Sequence, residues 1–365
     1  MLLTKRKLVL ILFTALFLNG FSQDKFTGNL TISANYHYGA VLPEYQYFNY
    51  LVNDYVRSAG LNISKKTIGK NDWEQLFHYP EWGFSMFYST LGNDHVFGRE
   101  ISAFPYFHID MFSGKHVKIY NETGVGFGYV TKKLDLKNNY EDIAVGSHFN
   151  GHFSLKFGLR YAITDKIQLN AGASFNHFSN GNLKEPNLGI NYMALYSGLG
   201  YRIGKYVQNE KNELQPHKKG HHYELTYSFG GKHTRALLEK FYFTTSGTFE
   251  FKYDMTPIFH AGLGADLFYD SSTQTEMSVP GSLPYKNIYD YRSGIHVSEE
   301  FSYNKLSIIV QEGTYLLLID KVNHYPMYNR GVIRYRISDH LMISVAMKSH
   351  LQILDYPEFG IGYKW

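Results

Sequence analysis

His177 and Ser179 stand two residues apart in the stretch Ser174-Phe175-Asn176-His177-Phe178-Ser179-Asn180-Gly181. An imidazole beside a hydroxyl is a pairing that can move a proton on and off a nucleophile. The segment leading to them alternates, with Ile167, Leu169, Ala171, Ala173 and Phe175 at odd positions and Gln168, Asn170, Gly172, Ser174 and Asn176 at even ones. That is the period of a β-strand with one apolar face, and the same parity puts His177 and Ser179 on the apolar side, at the strand's end. A second segment carries Asn191, Met193, Leu195, Ser197, Leu199, Tyr201 and Ile203 on one face. A hairpin folded about Lys184 returns Asn191 to the neighbourhood of His177 and Ser179. Polar groups facing hydrocarbon are costly and gather at membrane boundaries or at functional sites, so the residues alone allow two readings: a boundary marker or a reactive cluster.

The elements that would position this cluster are strands in a membrane. Lys5-Arg6-Lys7, the apolar run Leu8 to Leu18 and the polar exit Asn19 to Asp24 predict a secretory signal peptide over residues 1–22, cleaved near Ser22. The run is too short to span a bilayer, and no other stretch holds the ~18 apolar residues of a spanning helix. Tyr (32) and Phe (27) are abundant and hydrophobic residues make up 44% of the chain. The mean hydropathy is nonetheless only −0.30, as expected of strand formers diluted by alternating polar residues. Cysteine is absent, which fits an exported bacterial protein without a disulfide framework. The net charge of +4 is scattered, giving no stripe for nucleic acid but suiting contact with anionic lipid head groups in the outer membrane.

Segments of about ten residues with period-2 alternation recur along the chain. Leu30 to Tyr36 is the first; Ser58 to Thr67 is weaker, and Ile68 to Glu81 is ambiguous. Further segments follow at 82–90, 101–111, 117–130, 149–163, 223–230, 241–253, 259–269, 289–301, 306–318, 331–337 and 341–351. Short turns at Ser113-Gly114-Lys115, Thr164-Asp165-Lys166, Met255-Thr256-Pro257, Tyr303-Asn304-Lys305 and Ser338-Asp339-His340 alternate with longer polar loops. Outer-membrane barrels carry short turns on the periplasmic side and long loops outside, so the end bearing His177 and Ser179 is expected to face the cell exterior. The predicted fold is all-β: an antiparallel transmembrane β-barrel of the outer-membrane type with about 14–16 strands, or an 8-stranded barrel plus a second β unit. The predicted division is residues 23–204 as a first barrel unit, 205–222 as a periplasmic turn or linker, and 223–365 as further antiparallel strands. The segment Phe359-Gly360-Ile361-Gly362-Tyr363-Lys364-Trp365, with aromatic or aliphatic residues at every odd position, resembles the strand by which the barrel assembly machinery recognises its clients.

The His177-Phe178-Ser179-Asn180 cluster resembles the His-x-Ser-Asn signature of the PagL-type lipid A 3-O-deacylases, outer-membrane barrels that hydrolyse an ester-linked acyl chain of lipopolysaccharide. The resemblance extends to Tyr36-His37-Tyr38-Gly39, Tyr79-Pro80-Glu81-Trp82-Gly83 with Gly92-Asn93, Pro186-Asn187-Leu188-Gly189 and Gly198-Leu199-Gly200-Tyr201-Arg202, over roughly residues 26–204. It implies a serine esterase acting on lipid A, with Ser179 as nucleophile, His177 as base, and Asn180 and Gly181 around the oxyanion. At the place of the family's orienting glutamate the chain has Asn191. An amide there can accept the imidazole N–H and set its tautomer, but brings no negative charge. Weakened activity is one expected consequence, and Glu185 in the outer loop is a candidate substitute. The resemblance calls for no cofactor and no metal, because the protein supplies every catalytic group.

The other signals are weaker. Gly124-Val125-Gly126-Phe127-Gly128 reads as small lumen-facing residues, not a phosphate loop. His217, His221 and His222 sit in a basic turn and read as solvated. Glu122, Lys156, Arg160, Asp266, Arg334, Arg336 and Lys348 have lumen parity and are expected to pair across the interior or line water. A second class of function stays open: a non-catalytic channel or structural barrel, for which, as for the enzyme, a homodimer is allowed.

Overall fold

The computed structural model describes residues 28–43, 46–204, 206–214, 216–234, 240–351 and 353–365; the signal peptide expected over residues 1–22 lies outside these. Eight strands form the first unit: β1 (Leu30–Val41), β2 (Val56–Lys66), β3 (Glu81–Thr90), β4 (Arg99–Ser113), β5 (Val117–Val130), β6 (Phe149–Ala162), β7 (Ile167–Ser179) and β8 (Ile190–Ile203). Eight more follow: β9 (His221–Lys232), β10 (Tyr242–Asp254), β11 (Phe259–Asp270), β12 (Tyr291–Tyr303), β13 (Leu306–Tyr315), β14 (Met327–Arg336), β15 (Leu341–His350) and β16 (Ile353–Lys364). Within each set of eight, consecutive strands pair antiparallel. β8 closes back on β1 and β16 closes back on β9, so the sixteen strands make two closed barrels of eight. The ambiguous stretch before β3 is a connection at the short-turn end, containing one helical turn, α1 (Asp72–Leu76).

The alternation is that of a soluble protein turned inside out. Trp82, Met86, Phe127, Leu195, Leu263, Val297 and Ile361 face outward and are more than half exposed, while Glu100, Lys156, Asn176, Glu250, Lys252, Lys348 and Glu358 face inward and are buried. An apolar outer belt around a closed ladder is the solution hydrocarbon imposes, since every backbone group must be paired and no sheet edge left open. The chain is an outer-membrane β-barrel protein. The lumen charges pair with one another: Lys156 Nζ lies 2.8 Å from Glu122 Oε1, Lys348 Nζ 2.7 Å from Asp355 Oδ2, and Arg160 and Arg334 bond Glu81 and Glu224. Arg336 instead donates to the Asn304 carbonyl at the short-turn rim. The glycines at 124 and 126 face the lumen, where a Cβ would fall 2.6 and 2.5 Å from side-chain atoms of Phe104; they make room for that ring.

Residues 206–214 and 216–220, between the two barrels, are tied to both. Val207 N donates to Asn29 Oδ1, Glu210 N to the Ile68 carbonyl, and Asp254 N to the Gly220 carbonyl. His217 Nε2 lies 3.0 Å from the Asp254 carbonyl, and among the described residues no group of three or more His, Cys, Asp or Glu side chains could hold a metal ion.

Candidate active site

The outer end of the first barrel is plugged by an apolar cluster that includes Phe87, Phe97, Phe104, Val130, Phe178, Ile190 and Tyr192. Phe178 is fully buried, stacked on Tyr192 at 5.9 Å and set against His152 at 4.3 Å. Because neighbours on a strand point to opposite faces, anchoring Phe178 inward holds His177 and Ser179 outward, where both are half-buried on the lipid side. The β7–β8 register pairs His177 directly with Asn191, also outward and half-buried.

These three side chains form one relay. The His177 Nδ1–H donates to Asn191 Oδ1 over 2.6 Å, and the Ser179 hydroxyl donates to His177 Nε2 over 2.9 Å. With Nδ1 carrying the proton, Nε2 presents its lone pair to the serine, the arrangement in which an imidazole can accept a nucleophile's proton. Two further serine–histidine pairs, His37 with Ser174 at 3.0 Å and Ser102 with His152 at 2.6 Å, are sealed in the lumen. Proximity is therefore not what sets the outward pair apart; access from the lipid is.

The loop between β7 and β8 folds over the relay. Asn180 is buried and committed to the loop: its N–H donates to Asn187 Oδ1, its Nδ2 to the Lys184 carbonyl, and its Oδ1 accepts from Lys184 N. The Gly181 N–H has no partner among the described residues, and the residue, two positions after the serine, lies in the left-handed region at φ +71°. The Glu185 carboxyl is pushed up by burial, partly offset by the N–H of Asn187. Two residues given no role by the sequence reasoning, Asn187 and Gly189, are structural parts of the site. Gly189 has φ +72°, and a Cβ on it would lie 3.1 Å from His177 Cε1 and 3.3 Å from Ser179 Cβ. The signal in the sequence was the turn chemistry of Pro186-Asn187-Leu188-Gly189, where a glycine closing a loop invites a positive φ.

Fold and cluster together define a class: an outer-membrane double barrel bearing a Ser-His-Asn relay on the lipid-facing outer rim of its first barrel. Residues 57–202 match the family model described as lipid A 3-O-deacylase (PagL), and residues 221–365 match that of the acyloxyacyl hydrolase C-terminal domain. Over residues 57–202 the chain is thus similar to the lipid A 3-O-deacylase (PagL) family. It is 27% identical over 151 residues to the lipid A deacylase PagL of Bordetella bronchiseptica, covering 40% of this chain and 78% of that one. Among solved structures it is similar to the outer-membrane enzyme PagL at 21% identity and a TM-score of 0.31, covering 46% of this chain and 97% of that one. Neisserial surface protein A aligns at 15% identity and a TM-score of 0.32, over 48% of this chain and 98% of the other.

Proposed function

We propose that the chain is a serine esterase that removes an ester-linked acyl chain from lipid A in the outer leaflet. The observation that carries this reading is the continuous relay from Ser179 Oγ through His177 to Asn191, open to the lipid at the outer end of β7. The family-model match over residues 57–202 and the named activity of the Bordetella relative support the same substrate. Ser179 Oγ attacks the acyl carbonyl carbon while its proton passes to His177 Nε2. The tetrahedral oxyanion accepts the Gly181 N–H. Collapse breaks the ester bond, the sugar oxygen leaves with the proton from His177, and a water activated by the same imidazole releases the fatty acid from Ser179. Asn191 orients the ring, and as an amide adds no negative charge to stabilise the imidazolium. The catalytic unit is then residues 23–204, followed by the 205–222 linker and a second barrel unit whose terminal strand serves the assembly machinery.

The test uses the full chain purified in detergent with lipopolysaccharide, followed by mass spectrometry of the lipid A. Wild type is expected to release one acyl chain, and Ser179→Ala to lower kcat by about 10³-fold or more. Lipid A profiles identical for wild type and buffer would overturn the assignment.

A further inference from the structure

The loop that follows Ser179 does not end in solvent; it rests on the second barrel. Asn182, held at φ +64°, donates from Nδ2 to the Asp355 carbonyl over 3.0 Å, and its own carbonyl accepts the His233 N–H at 2.9 Å. A Cβ on Gly181 would sit 3.7 to 4.0 Å from Met347 Cε, Pro357 Cγ and Leu354 Cδ2, ordinary van der Waals contact. Pro357 shares the outward parity of Phe359, Ile361 and Tyr363, yet it is buried while they are about half exposed. A lipid-facing position loses its exposure only where protein covers it, and the loop carrying Gly181 is what lies against it.

This seat is itself built. The β15–β16 register shifts at Lys348/Ser349, a bulge of the kind that re-aims a strand end. The Asp355 carboxylate at that shift is held inside the second barrel by Lys232 Nζ at 2.8 Å and Lys348 Nζ at 2.7 Å. The backbone carbonyl of the same residue is thereby fixed for Asn182. At the opposite rim the barrels meet again, where Tyr303 stacks on Phe77 at 4.5 Å and meets Phe107 edge-on at 4.6 Å. The line of contact thus runs from the short-turn rim to the loop beside the nucleophile.

We propose that the second barrel is part of the catalytic apparatus, seating the loop that presents the Gly181 N–H, with Asn182 as the positioning residue and Met347, Leu354 and Pro357 as its support. The inference rests on the serine-esterase reading above. A displacement of about 1 Å in such a donor costs on the order of 10²-fold in rate, so partial loosening is expected to lower kcat about 10-fold while KM changes little.

The experiment compares the full chain with Asn182→Gly, which tolerates the positive φ and removes only the side-chain bond, and with Leu354→Trp, which alters the seat without changing any residue of the first barrel. Leu263→Trp, on the outward face of β11, serves as a control. Each is checked for the gel-mobility shift of a folded barrel, then assayed for lipid A deacylation and for the rate at which a fluorophosphonate probe labels Ser179. Slower labelling and a lower kcat at near-constant KM in both seat variants, with the control unchanged, is the expected result. Labelling of both at the wild-type rate, while Ser179→Ala is unlabelled, overturns the seat alone. Equal labelling of wild type and Ser179→Ala overturns the esterase reading and the seat with it.

Discussion

Gly189 shows how narrowly the reactive pair is held. Its nearest surroundings are the Phe178 carbonyl, the His177 ring and the Ser179 Cβ, and a methyl group placed there would come within 2.8 Å of the first of these. Backbone cannot yield as a flexible side chain can, and a left-handed φ adds strain for any residue other than glycine. Gly189→Ala is therefore expected to push the imidazole and hydroxyl apart, lowering kcat about 10²-fold. The barrel itself should still fold, because strands β1 to β8 pair without this loop. Deacylation kinetics beside the folded-barrel gel shift separate the two effects; an alanine variant with wild-type kcat would show that the loop adapts. The shared face of His177, Ser179 and Asn191 was legible in the sequence, since a strand's parity carries to its last residue and a ten-residue loop constrains which positions meet. The commitment of Asn180 to Asn187 and Lys184 was not, because side-chain bonds within a loop follow from its three-dimensional path.

At the scale of elements, the loop over the relay is braced by its neighbour. Gly189 N donates to the Ala144 carbonyl at 2.9 Å, and Gly146 lies against the Glu185 backbone. The 131–148 loop is in turn organised by Asp142, whose Oδ1 accepts the N–H groups of Ala144 and Val145 at 3.0 and 3.3 Å. Asp142 is sealed from solvent, and burial pushes its carboxyl up to about 7 against those two hydrogen bonds. The folded loop thus retains a proton that the unfolded loop releases near the ordinary aspartate value of about 4. Stability is full below that value, falls as pH rises from about 4 towards 7, and stays reduced above. Hydrogen exchange at residues 142–146, corrected for its intrinsic pH dependence, is expected to lose protection between about pH 4 and 7, and Asp142→Asn to flatten that slope. A slope unchanged in the variant would assign the effect elsewhere. Strands and short turns could be read from alternation and from Asn, Asp, Gly and Pro placement. The closure partners could not, because β8 and β9 present the same alternating pattern to β1, and only long-range pairing decides between them.

The choice between two barrels of eight and one of sixteen decides what the whole molecule can do. Barrel diameter grows with strand number: sixteen strands leave an aqueous channel, while eight leave room for little more than side chains. Here both lumens are blocked by side chains. The first holds the apolar plug above paired Glu122–Lys156 and Glu81–Arg160. The second holds Lys252 between Glu224 and Glu300, Asp266 between His296 and Arg330, and Asp270 between Lys232 and Arg292. Buried charges so paired are expensive to separate, since removing one partner leaves the other desolvated and alone. An ion crossing either barrel would have to break several such pairs in series. The full chain reconstituted in planar bilayers is therefore expected to give no steady conductance at neutral pH, in wild type and in Ser179→Ala alike. A stable current that persists in the catalytically silenced variant would mean that the lumens open, and would favour the channel reading over the enzyme.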